Sequence, residues 1–267
     1  MFIRLWRGGF GDFLVIPPAY FTVAIREKTG ILSAMNSDIA LGLAWYLVFV
    51  LSLSFHEAAH AFAAMKLGDK TAYYGGQVSL HPFAHMRREP VGMIVLPIIS
   101  YFLNGWMIGW ASAPYDPAWA NRHPKREIMM AMAGPAANLI LVIAGMVIIR
   151  AGCLMGYFSP PENITFSHIA DVESTGWAYS TAVMTSILFT LNLVLFVFNL
   201  LPIPPLDGSC LVPLVLDSEN AYKYKAFISQ PSIAIVGLII AWQCFDYIFD
   251  PVHLFAINLL YPGHHYG

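Results

Sequence analysis

The chain has 267 residues, 58% of them hydrophobic and only 11% charged, with a formal net charge of -2 and a mean hydropathy of +0.61. An ordinary soluble domain carries about 25% charged residues, so this composition excludes a soluble globular protein and indicates a multi-pass membrane protein whose first partner is the lipid bilayer. The near-neutral balance, with no basic patch interleaved with aromatics, excludes a nucleic-acid partner, and Cys153, Cys210 and Cys244 have neither disulfide-framework nor thiolate-metal spacing.

The N-terminal stretch, 1–38, has an apolar run from Phe13 to Ile25 that is short, is broken by Pro17-Pro18 and has no small-residue cleavage site before Arg26 and Lys28. It reads as an interfacial segment rather than a signal peptide. The first window of spanning length follows, from about Ile39 to Met65. Within it lies His56-Glu57-Ala58-Ala59-His60. Two His at i and i+4 project from one helix face, so both imidazoles can reach one Zn²⁺ while the carboxylate beside the first takes a proton from an attacking water. An unpaired charge such as Glu57 costs on the order of 3 kcal/mol at the bilayer centre, so it is read as functional; the bland alternative is a helix end meeting water. Lys66 follows His60 by six residues, which sets the pair roughly 10 to 15 Å inside the helix end.

Thr71 to His81 alternates loosely around Gly75-Gly76 and predicts a small β-hairpin at the membrane edge. Val91 to Ala111 is apolar but interrupted by Pro97, Asn104, Gly105 and Gly109. Firm windows then run from Ile128 to Ile149, Thr181 to Leu201, and Ser232 to Phe249 extending toward Leu260. The loop 151–179 holds Glu162, Asp171 and Glu173 and no Lys or Arg, which places it outside the cytoplasm, with Arg150 at its edge the one contrary charge. Lys66, Lys70, Arg87, Arg88, Arg122, Lys125 and Arg126 then gather on the cytoplasmic side. An even number of crossings must separate the first two firm spans, so Val91 to Ala111 is expected to re-enter or form a short hairpin, walling a polar cavity.

The second firm span opens with Ala133-Gly134-Pro135-Ala136-Ala137-Asn138, whose small residues suit close helix packing; Asn138 either lines the site or serves structure. The third ends in Asn199-Leu-Leu-Pro-Ile-Pro-Pro-Leu-Asp207-Gly208. Pro202, Pro204 and Pro205 break the helical ladder and turn Asp207 back toward the bundle. Asp207 there reads as the third zinc ligand, giving His₂Asp with a fourth position open; the alternative is a helix-terminating cap. Asn199 reads as a donor to a substrate carbonyl and Asn192 as a packing residue, interhelical hydrogen bonding being the alternative for Asn199. His81 and His85 flank Pro82-Phe83 in the cytoplasmic loop and are weighed as further zinc neighbours or solvated residues; His123, His168, His253, His264 and His265 carry no firm spacing signal.

HEAAHA (56–61), AGPAANL (133–139) and NLLPIPPLDG (199–208), on successive apolar helices in that order, resemble the site-2 protease family of intramembrane zinc metalloproteases. Gly76 to Pro82 and Gly109-Trp110-Ala111 extend the likeness over roughly 40–215. The resemblance implies one Zn²⁺ held by His56, His60 and Asp207, Glu57 as general base, and Asn199 positioning the scissile peptide. It departs at Ser112 to Pro117, where the simpler subgroup has a Lys-Pro-Val-Pro-Val-Asn-Pro-like stretch, leaving the role of the Asp116 loop open. The loop 151–179 is too short for a PDZ insertion and no regulatory domain is expected after the last span, so gating would fall to the bundle or to a separate regulatory protein. The expected fold is an all-α polytopic bundle of about 4–6 transmembrane helices with the edge hairpin and the re-entrant segment. Its parts would be the segment 1–38, a catalytic membrane core 39–215, and a C-terminal helix and tail 216–267. Its substrate would be a transmembrane protein, its place a bacterial inner membrane with the active site near the cytoplasmic face. The rival from another class is a membrane transporter or metal-binding scaffold, since broken helices with intramembrane charges also serve transport; Glu57, which transport does not need, separates the two.

Overall fold

The computed structural model describes residues 28–173 and 176–267, and the expected N-terminal interfacial run, Phe13 to Ile25, lies outside them. The chain forms two compact units, Met1–Leu41 and Gly42–Gly267. Of the first, the described part is the opening of helix α1, Lys28–Leu67. Everything below concerns the second.

Helix α1 ends at Gly68, whose φ of 111° suits a residue without Cβ, and Arg126 Nη1 donates to the Leu67 carbonyl at 3.0 Å, satisfying a terminal acceptor. Asp69 then braces the next turn from two residues before it: its Oδ1 accepts from Thr71 N at 2.9 Å and Thr71 Oγ1 at 2.6 Å. The result is a short helix, α2, Thr71–Tyr74. The predicted β-hairpin at 71–81 is therefore corrected: Gly75, Gly76 and Gln77 donate back to Thr71, Tyr73 and Ala72, so these amides are satisfied by the helical turn and none is left for a strand partner. Among the described residues there is no sheet, only isolated bridges Ser159–Asp171 and Thr165–His168.

Helix α3, Pro82–Arg88, leads into a π-helical turn, Val91–Val95, and α4, Leu96–Asn104. Gly105 reverses the chain in the left-handed conformation, and the returning segment is tied to the outgoing helical limb by Ile108 N to Ser100 Oγ at 2.8 Å and Trp110 N to Gly92 O at 3.2 Å. This hairpin is deep. A Cβ on Gly42 would meet the Tyr101 ring and one on Gly109 the Phe49 ring, so its tip reaches the level of Gly42, roughly 37 Å along α1 from Leu67. Trp106 at the tip stacks on Trp242, with centroids 5.6 Å apart.

Asp116 accepts from Ala118 N to start α5, Pro117–Arg122, and its own N–H donates to Asp69 Oδ2, locking the returning chain to the end of α1. Helices α6, Pro124–Leu154, and α7, Trp177–Asn199, pack closely, Gly145 lying against the Phe189 backbone. A 3-10 helix, Asp207–Val215, leads to α8, Ser218–Ile228, and α9, Pro231–Leu260. Among the described residues, Asp38–Leu67 and the whole of α6, α7 and α9 are long and apolar enough to cross a membrane, four candidate spans, and the protein is a multi-pass membrane protein. The core joins Val142, Ile149, Phe189, Leu193, Phe245, Phe249 and Ile257. The loop after α6 folds onto it: Ile169 N donates to Ser186 Oγ and Tyr261 Oη to the Ile169 carbonyl. Arg150, the contrary charge of the positive-inside argument, donates to the Leu260 carbonyl at the end of α9.

Candidate metal centre

Ser52, His56 and His60 recur every fourth residue on one face of α1, and Met130, Gly134 and Asn138 do so on one face of α6. The two rows face each other in antiparallel register. His56 Nδ1 lies 2.6 Å from Asn138 Oδ1, and His60 Nδ1 lies 2.8 Å from the Met130 carbonyl oxygen. A carbonyl only accepts, so His60 carries its proton on Nδ1 and turns the Nε2 lone pair inward.

Between the rows three candidate ligand atoms converge. His56 Nε2 and His60 Nε2 are 2.9 Å apart, and Asp207 Oδ2, brought in where the proline-broken end of α7 turns into the 3-10 helix, lies 3.1 Å and 3.3 Å from them. Metal–nitrogen and metal–oxygen bonds of about 2.0–2.1 Å at tetrahedral angles put ligand atoms roughly 3.3 Å apart, so these three fit one face of a zinc tetrahedron. Two further observations agree. Asp207 Oδ2 is buried without a hydrogen-bond partner, and three lone-pair donors at such distances repel unless a cation lies between them. Gly134 supplies the room: a Cβ there would lie 2.3 Å from His60 Nε2 and 2.5 Å from His56 Nε2, in the space an ion would take.

Glu57 is 5% exposed, and its carboxylate lies with the ligand atoms of His56 and His60 in a group spanning no more than 4.8 Å. His56 and His60 are 4% and 8% exposed. At 1.5 Å per residue they sit roughly 17 Å and 10 Å inside the end of α1. Asn138 is fully buried, and its Nδ2 donates to Asn192 Oδ1 at 2.8 Å. Asn199 stands apart from this cluster in its hydrogen bonding: its Nδ2 donates to the Leu195 carbonyl at 3.0 Å, a bond within its own helix. His85 is buried and its Nε2 pairs with the Ser79 carbonyl, while His81 is exposed; neither joins the group that could hold a metal.

Sequence reasoning passed over Gly134 and the Met130 carbonyl as parts of the site. The signal was present, since both share the i, i+4 face with Asn138, but small residues were explained by helix packing alone.

Above the centre on the side of α8, Lys225 pairs with the buried Glu127 of α6, and Tyr224 Oη donates to the Ser209 carbonyl at 3.2 Å. These contacts fasten α8 over the 3-10 helix that carries Asp207. Burial pushes the neighbouring Cys210 thiol up to about 11, with Glu127 and Asp207 adding to the effect.

A family model described as peptidase family M50 matches residues 44–241. Among curated relatives the chain is similar to "Putative zinc metalloprotease YwhC" of Bacillus subtilis, 36% identical over 173 residues, covering 63% of this chain and 68% of the relative. It is also similar to proteins of the same description named Rip2: 28% identical over 246 residues in Mycolicibacterium smegmatis, covering 90% and 85%, and 30% identical over 218 residues in Mycobacterium tuberculosis H37Rv, covering 79% and 73%. No solved structure matches significantly.

Proposed function

The chain belongs to peptidase family M50, the site-2 proteases, and is a zinc metalloprotease; on that premise we propose that it hydrolyses peptide bonds within or next to the transmembrane segments of membrane-protein substrates. The observation that carries this reading is the convergence of His56, His60 and Asp207 at depth between helices long and apolar enough to span a bilayer.

In the proposed mechanism His56 Nε2, His60 Nε2 and Asp207 Oδ2 would hold the zinc, which would supply Lewis acidity enough to make water acidic near neutral pH, about 7. Glu57 takes the proton of the attacking water on its carboxylate as the oxygen adds to the scissile carbonyl carbon. When the carbon–nitrogen bond breaks, Glu57 returns that proton to the leaving amine, which regenerates the carboxylate. Asn199, at the last turn of α7 before the prolines, donates its amide N–H to the substrate backbone, exchanging its bond to Leu195 for one to the peptide. Asn138 stays behind His56, out of reach of the peptide.

A helical substrate hides its carbonyls in its own hydrogen bonds, so it must unwind before attack. The deep hairpin, 91–111, serves as a re-entrant wall beside which water and the unwound peptide would reach the site. The charge asymmetry of the loops favours a site near the cytoplasmic face, the bacterial relatives favour a bacterial inner membrane, and gating falls to the bundle or to a separate regulatory protein. Membership of a peptidase family, with Glu57 beside the ligand pair, weighs against the transporter reading.

The test is incubation of the purified full chain in detergent with model transmembrane substrates, some carrying helix-breaking residues, and mass mapping of the products. Cuts within or next to the transmembrane segment, faster in the helix-broken substrates, support the proposal. Cleavage confined to soluble polypeptides overturns it.

A further inference from the structure

Behind His56 a row of buried polar groups crosses three helices. Asn138 Oδ1 faces His56 Nδ1 at 2.6 Å, Asn138 Nδ2 donates to Asn192 Oδ1 at 2.8 Å, and Asn192 Nδ2 donates to Ser52 Oγ at 2.9 Å and to the Leu188 carbonyl at 2.8 Å. Ser52, Asn138 and Asn192 are all 0% exposed. An amide can be turned end for end, and a histidine can carry its proton on either nitrogen, so such a row could run in either direction. One group in it cannot reverse. The Leu188 carbonyl is an obligate acceptor, so the Asn192 atom against it is the NH₂. Its oxygen then faces Asn138, which must answer with its own NH₂ and turn its oxygen to His56. That oxygen accepts, so His56 carries its proton on Nδ1 and presents the Nε2 lone pair to Asp207 and His60.

We propose that Leu188, Asn192 and Asn138 form a polarised hydrogen-bond relay that fixes the tautomer and ring angle of His56, with Asn138 the positioning residue through which α6 and α7 hold His56 ready for the metal. The proposal rests on the reading of His56 as a zinc ligand. It gives Asn138 and Asn192 a task beyond gluing helices. His60 reaches the same tautomer through the Met130 carbonyl, so both imidazoles are set from α6, one by backbone and one by side chain. The difference matters for sequence: the Met130 contact survives any side chain at 130, whereas the Asn138 contact is lost with its amide oxygen. Partners of this kind typically carry about 10–100-fold in metal affinity.

A residue that only packs helices would alter stability and leave the metal alone, which makes the two roles separable. In the purified full chain, zinc affinity is measured by competition with a chromophoric chelator, the Co²⁺-substituted visible spectrum reports ligand geometry, and thermal melting reports the fold. Asn138→Leu fills the volume without an acceptor and is expected to weaken zinc by roughly 10–100-fold and to shift the Co²⁺ bands. Asn138→Asp keeps an acceptor against His56 Nδ1–H while losing the donor to Asn192; it is expected to melt lower yet bind zinc at least as tightly as wild type. Equal zinc affinity in wild type, Asn138→Leu and Asn138→Asp overturns the relay. Where Asn138→Leu does not fold, Asn138→Asp decides alone: zinc binding weaker than wild type by 10-fold or more overturns the proposal. Failure of wild type itself to bind zinc would instead overturn the assignment of His56, a distinct result.

Discussion

Asp207 Oδ2 lies 3.1 Å from His56 Nε2, although the two residues come from opposite ends of the catalytic region, one within α1 and the other beyond the end of α7. Neither helix could hold a tetrahedral metal alone. On the proposed assignment of Asp207 as a ligand, Asp207→Asn removes the anion but keeps the shape, and the loss of zinc affinity is expected to exceed the roughly 100-fold upper range for a merely supporting partner. Metal content after dialysis against a weak chelator measures it.

Gly134→Ala separates metal binding from folding. Alanine is favoured over glycine in a helix by about 1 kcal/mol, yet its methyl would lie 2.3 Å from His60 Nε2 and 2.5 Å from His56 Nε2. The variant is expected to lose zinc and cleavage while the helical signal by circular dichroism is retained.

Chelation of the metal should silence the enzyme without dissolving the bundle, because the core around Val142, Phe189, Leu193 and Phe249 is filled by apolar side chains other than those of the proposed ligands. Zinc at about 100 times its Kd adds about 2.7 kcal/mol to stability. Melting temperature is therefore expected to rise on zinc return together with activity, and other divalent ions of poorer fit would raise it less.

Asp69 makes stability depend on acid pH. Burial alone would raise its pKa, but hydrogen bonds from Thr71 Oγ1, Asp116 N and Thr71 N outweigh that and hold it below the ordinary carboxylate value. A depressed folded-state pKa gives stability that is present above the unfolded value, near 3.9, and lost as pH falls through the folded value. Asp69→Asn is expected to cost about 1–3 kcal/mol at neutral pH and to flatten the acid limb below about pH 4, read from melting curves across pH.

What the sequence disclosed and what it withheld divide along physical lines. His56, Glu57 and His60 were legible because the 3.6-residue period of one helix sets their relation, and Asp207 because three prolines announce a broken helix with an acid at its end. Gly134, Met130 and the pairing of Asn138 with Asn192 were not, since they depend on the register between α1, α6 and α7, which no local pattern encodes. Thr71 to His81 misled for the opposite reason: loose alternation suggested strands, while the Asp69 carboxylate, outside the alternating stretch, binds Thr71 at the start of a helical turn. The reversal at Gly105 followed from counting charges across the loops; that the hairpin reaches Gly42 and Trp242 did not, because its depth is set by contacts with α1 and α9.

The central claim, hydrolysis with Glu57 as the base, is tested most directly by purified Glu57→Gln beside wild type, measuring bound zinc and cleavage of a model transmembrane substrate in the same samples. Full zinc occupancy in both with cleavage by wild type alone is the predicted result. Loss of zinc along with cleavage would make Glu57 a ligand, and cleavage persisting in the variant would contradict its role as base.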